Sequence, residues 1–303
     1  MTRKLLLTGA AVVLGGTLAT LPAQAAGLSP APVAAAAPAA AAAVAASPLL
    51  AALSPGGAGV HQWNGSAWIQ VGGPAGTVVS GGGVLAATNP TTGDLYRYDG
   101  AAWSRIGGPG RQFAIDGSGR IYGLSPDGSG VFQWNGGTSW TQVGGPAATI
   151  TAGGGNTLIA TNPTTGDAYR YNGAAFDWSR IGGPGRQFAV DGSGRIFGLT
   201  PDGSAVFQWN GGTSWTQVGG PAATITAGGG NTLIATNPTT GDAYRSFGSG
   251  SGWARIGGPG AEFVIDGVGR IFALSPDRGG VFQWLNGTTW NRIGGPAGRL
   301  TAS

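Results

Sequence analysis

Between residues 184 and 220 the chain reads as four short runs rich in apolar and β-branched residues, separated by polar breaks that contain glycine. Arg186-Gln187-Phe188-Ala189-Val190 is followed by Asp191-Gly192-Ser193-Gly194, and Arg195-Ile196-Phe197-Gly198-Leu199 by Thr200-Pro201-Asp202-Gly203-Ser204. Val206-Phe207-Gln208-Trp209 and Trp215-Thr216-Gln217-Val218 complete the unit across Asn210-Gly211-Gly212-Thr213-Ser214. Strands of about five residues with short glycine turns predict an antiparallel meander. The unit recurs: Trp-x-x-(Ile/Val)-Gly-Gly-Pro begins at Trp68, Trp103, Trp140, Trp178, Trp215, Trp253 and Trp290, 35 to 38 residues apart. A fixed period in this range marks stacked supersecondary units, and four-stranded sheets repeated about an axis make a β-propeller.

Two unit types alternate. Those ending at Gly108, Gly183 and Gly258 carry Thr-Asn-Pro-Thr-Thr-Gly-Asp between their second and third strands; those ending at Gly145, Gly220 and Gly295 carry Ser/Thr-Pro-Asp there. Six whole units run from Pro74 to Gly295, and the two ends supply a seventh. Leu49 to Pro55 aligns with Arg270 to Pro276, Val60 to Trp63 with Val281 to Trp284, and Trp68 to Val71 with Trp290 to Ile293. Gly298 to Ala302 matches the first strand of a unit. The expected fold is all-β: a seven-bladed β-propeller of four-stranded antiparallel blades over residues 48–303. Three N-terminal strands and one C-terminal strand close the ring and leave no open sheet edge.

Composition agrees once position is considered. The 62 glycines and 19 prolines, with 9% charged residues, would often mean disorder, but here the glycines fall at fixed places between strands. Cysteine is absent, so no disulfide holds the fold. Residues 1–25 read as a signal peptide: Arg3 and Lys4, an apolar run from Leu5 to Leu21, and Ala23-Gln24-Ala25 as the cleavage site. The run is short, rich in Gly and Thr, and closely followed by Pro22, so cleavage is expected over retention as an anchor. Residues 26–47, almost all Ala with scattered Pro, read as a linker. A secreted, extracellular protein with no membrane association after cleavage is expected. Without Arg3 and Lys4 there are 14 arginines and 12 acids, a net charge of +2 spread around the ring. That offers no basic stripe for a phosphate backbone, so no nucleic-acid partner is expected.

The recurring residues carry the candidate chemistry. The Trp of each motif starts an outermost strand; its presence in every blade favours inter-blade packing over a sugar-stacking platform. Trp134, Trp209 and Trp284, with Trp63, belong to one blade type and are the better stacking candidates. Gly-Gly-Pro is read as the turn between blades, its glycines allowing positive φ. Asp116, Asp191 and Asp266 in Asp-Gly-x-Gly are read as bonding their own turn amides. The second-to-third-strand loops hold Asn89, Asp94, Asn162, Asp167, Asn237 and Asp242 in one blade type, and Asp127, Asp202 and Asp277 in the other. They share a rim with the Gly-Gly-Pro turns that lead into Arg111 and Arg186. Such a mixture suits sugar hydroxyls, which donate and accept hydrogen bonds, and the same residues equally suit turn chemistry. His61 is the single histidine and Glu262 the single glutamate. No pair of carboxylates stands out for glycoside hydrolysis, no metal site and no cofactor are expected, and the chain is read as not an enzyme.

At the level of the blade the chain resembles the tachylectin and tectonin group of propeller lectins. The resemblance rests on the run from Phe188 through Asp191, Phe197 and Asp202, followed by Val206 to Trp209 and Trp215 to Gly220, and covers about residues 49–302. It implies several sugar sites in clefts between adjacent blades. The expected function is a secreted multivalent carbohydrate-binding protein whose partners are glycans. The alternative is a protein-interaction scaffold or inhibitor that uses one rim.

Overall fold

The structure, a computed structural model, describes residues 49–248 and 252–303; the expected signal peptide and linker lie outside the described residues. Seven four-stranded antiparallel sheets follow one another around a ring. Blade 1 spans residues 78–109, blade 2 112–144, blade 3 150–184, blade 4 187–219, blade 5 225–257 and blade 6 262–294. Blade 7 combines Leu50–Leu53, Val60–Trp63 and Trp68–Gly72 with the C-terminal Arg299–Ala302, which pairs antiparallel with Leu50–Leu53. The expected seven-bladed ring and its closure are both present.

The core is divided among the seams. Each of seven apolar clusters lies between two neighbouring blades, as Leu95 and Ile106 of blade 1 do against Ile115 and Ile121 of blade 2. Second strands such as Ile121–Leu124 are buried along their whole length, because both faces meet a neighbouring blade.

The Trp motif locks these seams. In every blade its Ile or Val is a bulge: the third strand pairs with the Gly after it and then with the residue before it, skipping Val71, Ile106, Val143, Ile181, Val218, Ile256 and Ile293. A bulged residue leaves the ladder. Its carbonyl then accepts a hydrogen bond from the indole of the next blade, over 2.7–2.9 Å. Trp103 Nε1 donates to Val71 O, Trp140 to Ile106 O and Trp178 to Val143 O. Trp215 donates to Ile181 O, Trp253 to Val218 O, Trp290 to Ile256 O and, across the closure, Trp68 to Ile293 O. Packing is thus what the structure shows for this Trp. The expected role of Gly-Gly-Pro needs correction, since none of its glycines has positive φ. The first glycine is required by contact: a Cβ on Gly107, Gly144 or Gly182 would come within 2.8–2.9 Å of the indole nitrogen of the next blade. Nothing in the structure explains the second glycine.

A second brace crosses each seam that leads out of blades 2, 4 and 6. Gln112 donates to Ile150 O (2.7 Å) and accepts from Ile150 N (3.0 Å), and Gln187 does the same with Ile225. Blade 6 has Glu262 in this place, which accepts from Leu300 N at 2.7 Å. A carboxylate cannot return the donor that Gln supplies. Burial pushes the Glu262 pKa up, against the opposing pull of the Leu300 amide and the Arg299 guanidinium. A raised folded pKa means that the unpenalised state is the acidic one, and stability falls as pH rises from about 4 through the folded value. Glu262→Gln is therefore expected to stabilise the protein by about 1 kcal/mol at pH 7. Thermal unfolding should show this gain shrinking towards pH 4; a gain independent of pH would contradict the assignment.

Candidate ligand-binding clefts

The side chains of the rim loops are committed to partners within their own blades. Asn89 Oδ1 accepts the amides of Thr91 and Thr92 at 2.8 and 2.9 Å, and Asn162 and Asn237 cap the equivalent turns. Asp94 pairs with Arg105 of its own outer strand (Nε–Oδ2 3.0 Å, Nη2–Oδ1 3.1 Å); Asp167 pairs with Arg180 at 2.8 Å and Asp242 with Arg255 at 2.9 Å. The arginine hydrogen bond holds each of these carboxyls below its ordinary range. Asp127 and Asp202 are exposed but turn back onto their loops. Each accepts its loop amide, from Ser129 and Ser204, together with neighbouring hydroxyls, and its pKa is lowered to about 2. Asp277 accepts the Ser275 hydroxyl at 2.6 Å and the Gly279 amide at 2.9 Å, which lower it in the same way.

Arg111 and Arg186 are exposed and lean over the Pro-Asp loops: a Cβ on Gly128 or Gly203 would lie 3.2 or 3.3 Å from their Nη1 atoms. The turn carboxylates Asp116, Asp191 and Asp266 are fully buried and bond their own turns, as in Ser118 N and Arg120 N to Asp116 Oδ1 at 2.9 and 3.0 Å. Turn chemistry therefore accounts for the Asn residues and for Asp116, Asp127, Asp191, Asp202, Asp266 and Asp277, and ion pairs within the blade account for Asp94, Asp167 and Asp242.

The blade-specific tryptophans do not join this rim. Trp134 lies at the far end of Val131–Gly136 from the Asp127 loop, and its indole donates to Gly137 O at 3.0 Å in the opposite turn. Trp209 and Trp284 donate to Gly212 O and Gly287 O in the same manner. Each is half-buried and packs against the preceding blade. There it meets an arginine: Arg97 lies over Trp134 at 5.7 Å from the ring centroid, Arg170 over Trp209 at 5.9 Å, and Arg245 over Trp284 at 5.3 Å.

These three arginines are the residues the sequence reading missed. They occupy the middle of third strands, at the buried-facing parity of Leu95, Ala168 and Ala243, where a charge is expensive unless it has a purpose. That parity is the signal that would have found them. Among the described residues no protein acceptor bonds Arg97, Arg170 or Arg245, and Arg245 Nε is buried without a partner. Their surroundings differ at one flank, where Asp99, Asn172 and Phe247 sit in turn. Asp99 spends its carboxylate on the Ala101 and Ala102 amides at 2.9 and 2.8 Å. The result is three copies of a half-buried guanidinium plane, held by an indole, with no protein acceptor among the described residues.

No protein-family model and no curated protein matches the chain. Solved structures do resemble it. Virginiamycin B lyase from Staphylococcus aureus is 9% identical, with a TM-score of 0.53 over 71% of this chain and 82% of the lyase. The CRINKLY WD40 ectodomain of the Arabidopsis thaliana receptor kinase ACR4 is 12% identical, with a TM-score of 0.56 over 79% and 92%. YCF48 bound to D1 peptide is 15% identical, with a TM-score of 0.50 over 69% and 78%. At such identities the likeness is one of fold. It nevertheless corrects the reading of the chain as not an enzyme, because a lyase is built on this scaffold. Repetition constrains the blades, while chemistry resides in individual seams and loops, which can differ within one ring.

Proposed function

We propose that this propeller is an exported, multivalent carbohydrate-binding protein of the tachylectin and tectonin kind. Its three equivalent sites would be the Arg97–Trp134, Arg170–Trp209 and Arg245–Trp284 seams. The observation that carries the reading is the threefold recurrence of a guanidinium that, among the described residues, has no protein acceptor and lies over an indole of the next blade. A planar guanidinium presents paired donors suited to vicinal hydroxyls and, best of all, to a carboxylate or sulfate. Because the arginine covers one indole face, recognition is by hydrogen bonds and charge more than by stacking. Acidic sugars are therefore preferred. Sites of this kind are individually weak, and three on one rigid disc gain by avidity.

A glycan array probed with the protein tests this. The expected result is binding to glycans bearing uronic, sialic or sulfated residues. Arg97→Gln, Arg170→Gln and Arg245→Gln together should lower it at least tenfold, each charge-assisted bond contributing about 1.5–3 kcal/mol. No binding to any glycan at millimolar concentration would overturn the reading and leave a protein partner as the next candidate, sought by pull-down.

A further inference from the structure

A ring of seven blades in which two types alternate cannot alternate everywhere, because seven is odd. By the loop after its second strand, Ser54-Pro55, blade 7 is of the Pro-Asp type, and so is blade 6 with Ser275-Pro276-Asp277. The seam between them is the single place where like follows like.

Three other seams lead into blades of this type, and all three are filled in the same way. Phe113, Phe188 and Phe263 on the first strands lie against Trp140, Trp215 and Trp290, with centroids 6.4, 6.3 and 6.2 Å apart. The approach to each strand is glycine, since a Cβ on Gly110, Gly185 or Gly260 would come within 2.6–2.8 Å of the phenyl ring. Register places Leu300 at this position in blade 7: it pairs with Ala52, as Phe113 pairs with Gly123 and Phe263 with Ala273. The glycine is Ala297 here, so this strand carries the Ala and aliphatic residue of Ala147 and Ile150 or Ala222 and Ile225 in a blade whose loop is of the Pro-Asp type. Beside it an imidazole replaces a phenyl, for His61 stands where Phe132, Phe207 and Phe282 stand.

The space that a phenyl at Leu300 would fill is open. A cleft of about 360 Å³ lies in this seam, walled by Ala52, Trp68, Val281 and Ala297. Ser54 and His61 supply its polar side, with Ser54 Oγ 3.3 Å from His61 Nδ1. Ser54 is available for a reason that can be read from the loop. Ser125 and Ser275 give their hydroxyl protons to Asp127 and Asp277, whereas blade 7 has Gly56 at the position of that Asp.

We infer that the seam between blades 6 and 7 binds one small aryl ligand carrying a hydrogen-bonding substituent, a phenol in the simplest case. The ring takes the place of the missing phenyl beside Trp68, and the hydroxyl meets Ser54 and His61. Size agrees: an apolar cavity of about 150 Å³ already holds benzene, and ligand pockets begin at about 300 Å³. This site is single, unlike the threefold sites proposed above, and does not depend on them.

Titration of the protein with phenol, with toluene and methyl glucoside as comparisons, tests the inference by ligand-observed NMR. Phenol should saturate one site at low millimolar concentration, toluene should bind several-fold more weakly and methyl glucoside should not compete. Leu300→Phe combined with Ala297→Gly rebuilds the packing of the other three seams. It should lower phenol affinity at least tenfold while leaving the unfolding temperature unchanged or higher. Should that variant fold poorly, His61→Phe alone must reduce phenol binding to the level of toluene. Absence of saturable phenol binding, unchanged affinity in these variants, or displacement by methyl glucoside would each overturn the proposal.

Discussion

Removing residues 298–303 is expected to destabilise the protein by at least about 4 kcal/mol, far beyond the effect of trimming an ordinary tail. Those residues form the first strand of blade 7. Leu300 is buried at 2% exposure in the seam with blade 6, and its amide is the one that Glu262 accepts. Gly298 N donates to Leu53 O at 2.7 Å, and Ser303 exchanges a pair of hydrogen bonds with Leu49 at 2.8 and 2.9 Å. On the far side Thr301 bonds Ser80 of blade 1 at 2.7 Å. Deletion thus strips an apolar side chain, a strand ladder and contacts to both neighbours, and exposes a strand edge. At roughly 2–4 °C per kcal/mol for a chain of this size, the unfolding temperature should fall by about 10 °C.

A circular permutant separates closure from mere length. Because Leu49 and Ser303 are already paired, a two-residue Asn-Gly link between them, with new ends opened between Gly295 and Pro296, makes blade 7 one continuous meander. The permutant should keep the parental unfolding temperature within a few degrees, whereas the deletion should not. Equal stability of deletion and parent would contradict the closed ring.

The second large effect concerns the indole clasp. Trp215→Ala should cost about 3–5 kcal/mol, and Trp215→Phe about 1–3 kcal/mol, because the bulge carbonyl of Ile181 then loses its donor. Gly182→Ala should cost about 1–3 kcal/mol by forcing a methyl to 2.8 Å from Trp215 Nε1. The decisive quantity is the coupling. Once the indole is gone the added methyl has room, so Gly182→Ala in the Trp215→Ala background should cost little. A double-mutant cycle in denaturant should give a coupling above about 1 kcal/mol. Additive effects would mean that the motif acts blade by blade and does not lock seams.

Much of this architecture was readable because it repeats. The spacing of Trp68 to Trp290 fixed the blade count, and alignment of Leu49 to Val71 and Gly298 to Ala302 with whole units identified the closing blade. Strand parity and turn glycines are local properties, and local properties survive in one dimension. The site was poorly readable because its chemistry is not local. Asn89, Asp94 and Asp127 look alike whether they await a ligand or cap a turn, and only their partners decide; Arg105 lies 11 residues beyond Asp94, across a hairpin. The Arg97–Trp134 stack joins two blades, and although it recurs, only the packing of neighbouring blades brings its two positions together. The same limit explains the misreading of Gly-Gly-Pro, whose first glycine answers to an indole from the following blade. The seam between blades 6 and 7 is legible only afterwards, when Leu300 is seen standing where the other blades have Phe.

The central functional claim is that the three arginine–indole seams are equivalent binding sites. Isothermal titration of the protein with a small acidic monosaccharide such as a glucuronide measures this most directly. A stoichiometry of three is expected, falling to two when Arg170→Gln is introduced and to none in the triple variant. A stoichiometry of seven, or binding that survives the loss of all three arginines, would contradict it.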